Sequence, residues 1–297
     1  MSLQQDIPKT EMRNCFGTAD LLHILFIERM SLAIAENGGF AVPAFNVYNL
    51  ETLMGVVNAA KQTKALIIIQ MYSRLFDTGT AKFMAPIIKE VMNELKTPAA
   101  FHLDHGAGFP ECVRATRYGT TGVMIDASTL PIEQNIASTK QVVDFCREIG
   151  VPVEGELGHI GSTKDERWAA YTEVDDAVRY VDETGVDALA IMVGTAHGKY
   201  VQAPVLAVER IAEIHKAVDA HIILHGGSGV PDEQIKAAVK AGIRKINFGT
   251  DVCCAFIEGY DKLDHYGAPL DVVMSNASEY VKEYATEKIR LLGADKY

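Results

Sequence analysis

Residues 131–157 read PIEQNIASTKQVVDFCREIGVPVEGEL. The stretch 131–150 is amphipathic. It opens with Pro131 in a favoured first-turn position and closes on Gly150, a residue suited to a helix C-cap. The run 151-VPVEGEL-157 that follows is short, apolar and bounded by turn residues, as a strand buried on both faces should be. A helix delivering the chain to a buried strand is part of a parallel β-α-β unit with a right-handed crossover.

Outward in both directions the same unit recurs. Apolar runs stand at 40-FAVPAF-45, 65-ALIIIQM-71, 99-AAFHL-103, 121-TGVMI-125, 187-DALAIMV-193, 221-HIILH-225 and 244-RKINF-248. With 151–157 they make eight, and amphipathic segments such as 173-EVDDAVRYVDETG-185 and 203-APVLAVERIAEIHKAV-218 lie between them. Eight βα units predict an α/β fold of the (β/α)8 TIM-barrel type. An open doubly wound sheet would carry a glycine-rich fingerprint after its first strand, and 46-NVYNLETL-53 has none. Residues 1–18 lack periodicity and read as an N-terminal extension. Residues 19–297 read as one barrel domain, with 270–297 forming one or two closing helices.

Of the 297 residues, 48% are hydrophobic and 23% charged, ample for a large core. The formal charge of -11 argues against nucleic acid as a partner. An anionic metabolite is compatible with it, because a metal ion and oriented backbone N–H groups can outweigh net charge locally. The five cysteines, Cys15, Cys112, Cys146, Cys253 and Cys254, fit no zinc-knuckle spacing and read as thiols in a reducing compartment. No signal-peptide pattern and no membrane-length apolar run is visible, so a cytoplasmic protein without a membrane partner is expected.

Nearly every strand run ends in chemistry. Asn46 follows the first. Asp104 and His105 follow the third, Asp126 the fourth. Glu154 and Glu156 lie in the fifth, and His197 comes after the sixth. His225 ends the seventh, and Asn247 lies in the eighth with Thr250 and Asp251 beyond it. In a barrel these positions converge on the C-terminal mouth, where active sites are built. Three neutral imidazoles with an open coordination position are a catalytic zinc arrangement, so His105, His197 and His225 are candidate ligands. His102, which precedes a strand end, reads as a packed residue or one supporting a ligand. His23, His215, His221 and His265 read as ordinary hydrogen-bonded histidines. The glycine-rich turns 194-GTAHGK-199 and 224-LHGGSGV-230, with 247-NFGTD-251, let backbone N–H groups approach a phosphate, and their hydroxyls add donors.

These residues resemble a known family. AFN at 44–46, HLDHG at 102–106, VMIDAS at 123–128, VEGELG at 153–158, GTAHG at 194–198, LHGGSG at 224–229 and KIN at 245–247 resemble the class II fructose- and tagatose-bisphosphate aldolases. The resemblance covers roughly residues 19–250. It implies a zinc ion on His105, His197 and His225, with Asp126 and Glu156 as ligands for an alternative or second cation position. It implies that Asp104 exchanges a proton with the oxygen at the cleaved carbon–carbon bond. The cradle for dihydroxyacetone phosphate would include Asn46, Gly198, Lys199, Gly226, Gly227, Ser228, Asn247, Phe248, Gly249 and Thr250, with a monovalent cation, Na+ or K+, nearby. The expected activity is cleavage of a phosphorylated ketose, of the fructose- or tagatose-bisphosphate type, by a homo-oligomer (dimer or tetramer).

The chain departs from the family's pattern twice. Where the family carries a glutamate for the proton on the ketone carbon, 158-GHIGSTKDER-167 places Lys164, so Glu166 or Asp165 is the expected replacement. Gly249 stands where one subgroup has an acidic residue. Two other readings stay open: an aldolase for a sugar-acid phosphate of the deoxy-keto-gluconate type, and a non-catalytic barrel that binds zinc and phosphate.

Overall fold

Eight strands that must bury both faces, each followed by a helix, leave no exposed edge if the sheet closes on itself. The computed structural model describes residues 27–161, 171–200 and 202–297 and takes that solution. In order, the elements are α1 Ile27–Gly38, β1 Val42–Asn46, α2 Leu50–Thr63, β2 Ile67–Tyr72, α3 Arg74–Asp77, α4 Thr80–Glu94, β3 Ala99–Gly106, α5 Phe109–Tyr118, β4 Gly122–Ile125, α6 Ile132–Glu148 and β5 Val153–Leu157. They continue with α7 Val174–Thr184, β6 Ala188–Ile191, α8 Val208–Ala217, β7 His221–Leu224, α9 Asp232–Ala241, β8 Ile243–Phe248, α10 Thr250–Asp261 and α11 Leu270–Leu292. Each strand pairs in parallel with the next, and β8 closes on β1. Among the described residues no helix is long and apolar enough to cross a membrane.

Two boundaries differ instructively from the sequence reading. Helix α8 starts at Val208 rather than 203. Pro204 disfavours helical backbone at Ala203, and tertiary partners hold the segment open instead. Leu206 N–H donates to Gln234 Oε1 at 2.6 Å, and Ala207 N–H donates to the Val193 carbonyl at 2.9 Å. Strand β3 runs through Gly106 instead of stopping at residue 103.

The barrel interior is not purely aliphatic. Lys245 on β8 is fully buried and donates to Glu154 Oε2 on β5 at 2.6 Å. His102 Nδ1 on β3 stands 2.8 Å from Glu28 Oε1, which α1 inserts from the bottom of the barrel. Gly122 makes room for it: a Cβ there would collide with the Glu28 carboxylate. Buried charges persist only when paired, and these are.

A second clamp fixes α1 at the N-terminal end of the barrel. Glu36 meets His215 Nε2 at 2.9 Å, Arg244 at 3.0 Å and His221 Nδ1 at 3.4 Å. Partial burial opposes its charge, but these donors prevail and hold its pKa at about 2, below the usual 4.5. A depressed carboxylate pKa means stability that is fully present above the unfolded-state value and lost as pH falls through the folded one. The urea midpoint of Glu36→Gln is therefore expected below that of the parent at pH 7. The gap should narrow below pH about 4.5 and close near about 2. A gap that stays constant or widens on acidification rules this out.

Candidate active site and metal centre

Successive side chains of a strand point to opposite faces, so Asp104 and His105 should not both face the barrel mouth. A bulge makes it possible. Leu103 pairs with Val123 and Gly106 with Ile125, so β3 fits one more residue than β4 between the same two rungs. His105 takes the extra turn with φ 52, a left-handed conformation unusual for a residue with a Cβ and typical of sites where structure overrides local preference.

The bulge brings His105 to His197 and His225. Ring centroids lie 4.8 Å apart for His105–His197, 4.9 Å for His105–His225 and 5.9 Å for His197–His225. Each imidazole has one nitrogen held from outside the cluster. His105 Nδ1 meets Asp126 Oδ2 at 2.7 Å, His197 Nδ1 meets the Ile160 carbonyl at 3.0 Å, and His225 Nε2 meets Glu154 Oε1 at 2.7 Å. Such partners fix the tautomer and aim the second nitrogen of each ring at a common point. One ligand atom from each histidine can be chosen with all three within 4.8 Å of one another. Glu156 Oε2 is 3.3 Å from His225 Nδ1. Both atoms are fully buried and make no hydrogen bond among the described residues. Buried polar atoms without partners, converging with two further imidazole nitrogens, suit a divalent ion. His105, Asp126 and Glu156 form a second, overlapping set that also fits a cation.

The electrostatics diverge across the cluster. At His225, burial opposes a charged ring, but Glu154 and Glu156 outweigh it and raise the pKa to about 10. At His197, burial and the neighbouring imidazoles depress it to about 4. At His105 burial again opposes the charged ring, but Asp104 and Asp126 outweigh it and raise the pKa. Without an ion the acidic groups thus draw protons to His105 and His225, and a divalent ion would take the place of those protons.

Asp104 sits beside this cluster. Asn46 Nδ2 donates to its Oδ2 at 2.7 Å and Asn247 Nδ2 to its Oδ1 at 3.2 Å, while Gln70 Nε2 donates to Asn46 Oδ1 at 2.7 Å. Burial works to raise the carboxyl pKa, but His105, His225 and the Asn46 hydrogen bond together lower it. The result is an ionised carboxylate in fixed orientation 3.9 Å from His105 Nε2.

Across the mouth, the turns after β6, β7 and β8 are stitched together. The Tyr200 hydroxyl lies 2.8 Å from the Ala196 carbonyl and 3.0 Å from that of Gly226. Gly226 has φ 64, and a Cβ there would come within 2.5 Å of the Ala196 carbonyl oxygen, so only glycine closes this contact. Helix α10 begins beside the β7 turn, its Asp251 N–H donating to Ser228 Oγ at 3.2 Å. A 12-residue helix whose first-turn N–H groups face a glycine-rich turn is an arrangement that receives phosphate.

The profile of the family described as "Fructose-bisphosphate aldolase class-II" matches residues 29–296. The chain belongs to the class II fructose-bisphosphate aldolase family. A sulfofructosephosphate aldolase from Alkalicoccus urumqiensis is 37% identical over 271 residues, which are 88% of this chain and 94% of the relative. The crystal structure of the YdjI aldolase from Escherichia coli K12 matches with TM-score 0.83 and 34% identity, over 91% of this chain and 97% of that one. A fructose-bisphosphate aldolase from Campylobacter jejuni, TM-score 0.78 at 21% identity over 94% of this chain and 100% of that one, shares the fold.

Not every residue singled out from the aldolase sequence lies where a ligand could touch it. The Phe248 side chain is fully buried, its ring 5.8 Å from Phe45 and 6.2 Å from Tyr284, so only its backbone can border the cradle. Asn46 and Asn247, expected in the cradle, spend their amides on Asp104. Lys199 is exposed, and Gly198 turns with φ 117 immediately after His197. A Cβ at Gly249 would stand 3.1 Å from Asn46 Oδ1 and 3.2 Å from the Tyr48 hydroxyl, so an acidic side chain would crowd both. Thr250 starts α10. Lys164, Asp165 and Glu166 lie outside the described residues. The sequence reading passed over Gln70, Tyr72 and Lys245 as contributors. For Gln70 and Lys245 the signal was a polar or ionisable residue inside an apolar strand run, and Tyr72 stands one residue beyond its run.

Proposed function

We propose that this class II aldolase is a zinc enzyme that cleaves a phosphorylated ketose to dihydroxyacetone phosphate and an aldehyde. One observation carries the reading: three histidines, each fixed through one nitrogen, turn the other toward a common point where His225 Nδ1 and Glu156 Oε2 are buried without hydrogen bonds. When bound, zinc supplies Lewis-acid stabilisation of the negative charge that develops on the ketone oxygen. Asp126 and Glu156 offer it a second position. The turns at Gly198, Gly226–Ser228 and Gly249–Thr250 hold the phosphate, with a Na+ or K+ ion beside it.

The remaining steps belong to side chains. Asp104, ionised and locked by Asn46 and Asn247, takes the proton from the hydroxyl on the carbon that becomes the aldehyde. The carbon–carbon bonding electrons move to the ketone half. Glu166 or Asp165 then protonates that carbon to release dihydroxyacetone phosphate. Lys164, beside these acids in sequence, contacts the substrate anion.

A second substrate reading has its own support. The relative that is 37% identical is named a sulfofructosephosphate aldolase, which favours a sulfonated ketose phosphate over a bisphosphate. Proton exchange at the reactive carbon of dihydroxyacetone phosphate in heavy water tests the core of the proposal without assuming either aldehyde. The parent should exchange, and removing the responsible carboxylate should slow exchange roughly 10²–10⁴-fold. If Asp165→Ala and Glu166→Ala exchange at the parental rate while Lys164→Ala does not, the roles are reversed. If the parent does not exchange, the protein is a binding barrel.

A further inference from the structure

Carboxylates dominate the barrel mouth. Asp104, Asp126 and Glu156 all border the metal cluster, and the whole chain carries -11. Arg74 is a cation placed on the rim of this acidic mouth without a carboxylate of its own. It is the first residue of α3, immediately beyond β2, and it is exposed. Among the described residues it makes no ion pair; its contact is with an aromatic face, the guanidinium carbon 5.3 Å from the Tyr72 ring centroid. The Tyr72 ring lies in turn 5.6 Å from that of His105. Arg74 therefore stands two ring contacts from the metal-binding imidazoles.

The loop that carries it is anchored to the site. Ser73 N–H donates to the Asp104 carbonyl at 2.9 Å, so the base of Arg74 is tied to the β3 bulge. Burial raises the pKa of Tyr48, Tyr72 and Cys253, and the nearby charge of Arg74 works against that rise at each. Stacking on Tyr72 leaves the planar N–H fork of the guanidinium free for a ligand, and such a fork pairs with oxyanions in two-point geometry.

Position around the barrel gives the fork a partner. The phosphate cradle lies after β7 and β8 and at the start of α10, and across β1 from it β2 pairs with β3, Tyr72 opposite the Asp104 that faces the aldehyde half of the substrate. A ketose held by its phosphate in the cradle and cleaved at the metal extends its other half over β2. We propose that Arg74 recognises a second tetrahedral oxyanion, phosphate or sulfonate, at the far end of the ketose. This rests on the aldolase reading above and names the residue that selects a doubly anionic substrate.

The experiment compares kcat/KM for fructose 1-phosphate, fructose 1,6-bisphosphate and 6-deoxy-6-sulfofructose 1-phosphate in the parent, Arg74→Gln and Arg74→Lys. Because Arg74 is exposed on a short helix, both variants should fold. The parent is expected to prefer a substrate with the distal anion, and its better substrate of the two identifies the anion as phosphate or sulfonate. Arg74→Gln should shrink that preference roughly ten- to hundredfold, the range for a hydrogen bond to a charged group, with Arg74→Lys between the two. An unchanged preference in Arg74→Gln overturns the proposal, as does a parent that favours fructose 1-phosphate. In both cases dihydroxyacetone phosphate exchange still stands as evidence of the aldolase. A parent that neither cleaves any of the three nor exchanges refutes the aldolase reading, and the role of Arg74 with it.

Discussion

Replacing His197 and His225 by alanine together should leave the purified protein nearly free of divalent metal and without cleavage activity. The parent is expected to hold about one zinc or similar ion per chain, in line with a three-nitrogen site. Two of three imidazoles supply most of that grip, and His225 sits at the deepest point, fully buried between Glu154 and Glu156. Loss of a Lewis acid that contributes several kcal/mol to the transition state should cost roughly 10³-fold or more in rate. The fold should survive, because the barrel core does not depend on the site: β7 and the strands beside it bury Ile222, Ile223, Leu224 and Ile246. Elemental analysis of parent and variant decides the matter. Equal metal content in both would mean that the ion is held elsewhere, His105 with Asp126 and Glu156 being the next candidate.

Asp104→Ala should reduce carbon–carbon cleavage by roughly 10²–10⁴-fold, the usual worth of a positioned acid or base, while metal content stays at the parental level. The separation of effects follows from the geometry. Asp104 is 3.9 Å from His105 Nε2, whereas His105 is oriented by Asp126 at 2.7 Å, so the imidazole keeps its own support when Asp104 is removed. Asn46 and Asn247, whose amides now hold the carboxylate, lose a partner and can take water. A parallel fall in metal content would instead make Asp104 a support for His105. Dihydroxyacetone phosphate binding, measured by calorimetry, should change little, since the cradle stands on other strands.

Much of this protein can be read from its chain alone. Eight apolar runs alternating with amphipathic stretches leave few topologies, because parallel strands need crossovers of one hand and buried faces on both sides. The strand ends fall within two residues of where the pattern puts them, except at β3. The histidines were legible for a related reason: residues at the ends of parallel barrel strands must meet at the mouth, so sequence position predicts convergence.

What the sequence could not supply is orientation. Strand periodicity puts Asp104 and His105 on opposite faces, and only the bulge against β4, with the left-handed backbone of His105, turns both inward. Lys245, Glu154, His102 and Glu28 stand in four distant segments, and no sequence pattern pairs them. Closure of the barrel makes them neighbours, and burial keeps each charge only because it is paired, Glu154 with His225 as well. The family resemblance puts Asn46 and Asn247 in the phosphate cradle, and only the closed barrel, where β1 and β8 pair across the seam, shows both amides aimed at one carboxylate. Periodicity and end position are local properties of a chain. Hydrogen-bond direction, bulge and ion pairing depend on which strands lie side by side, and that is settled only when the barrel closes.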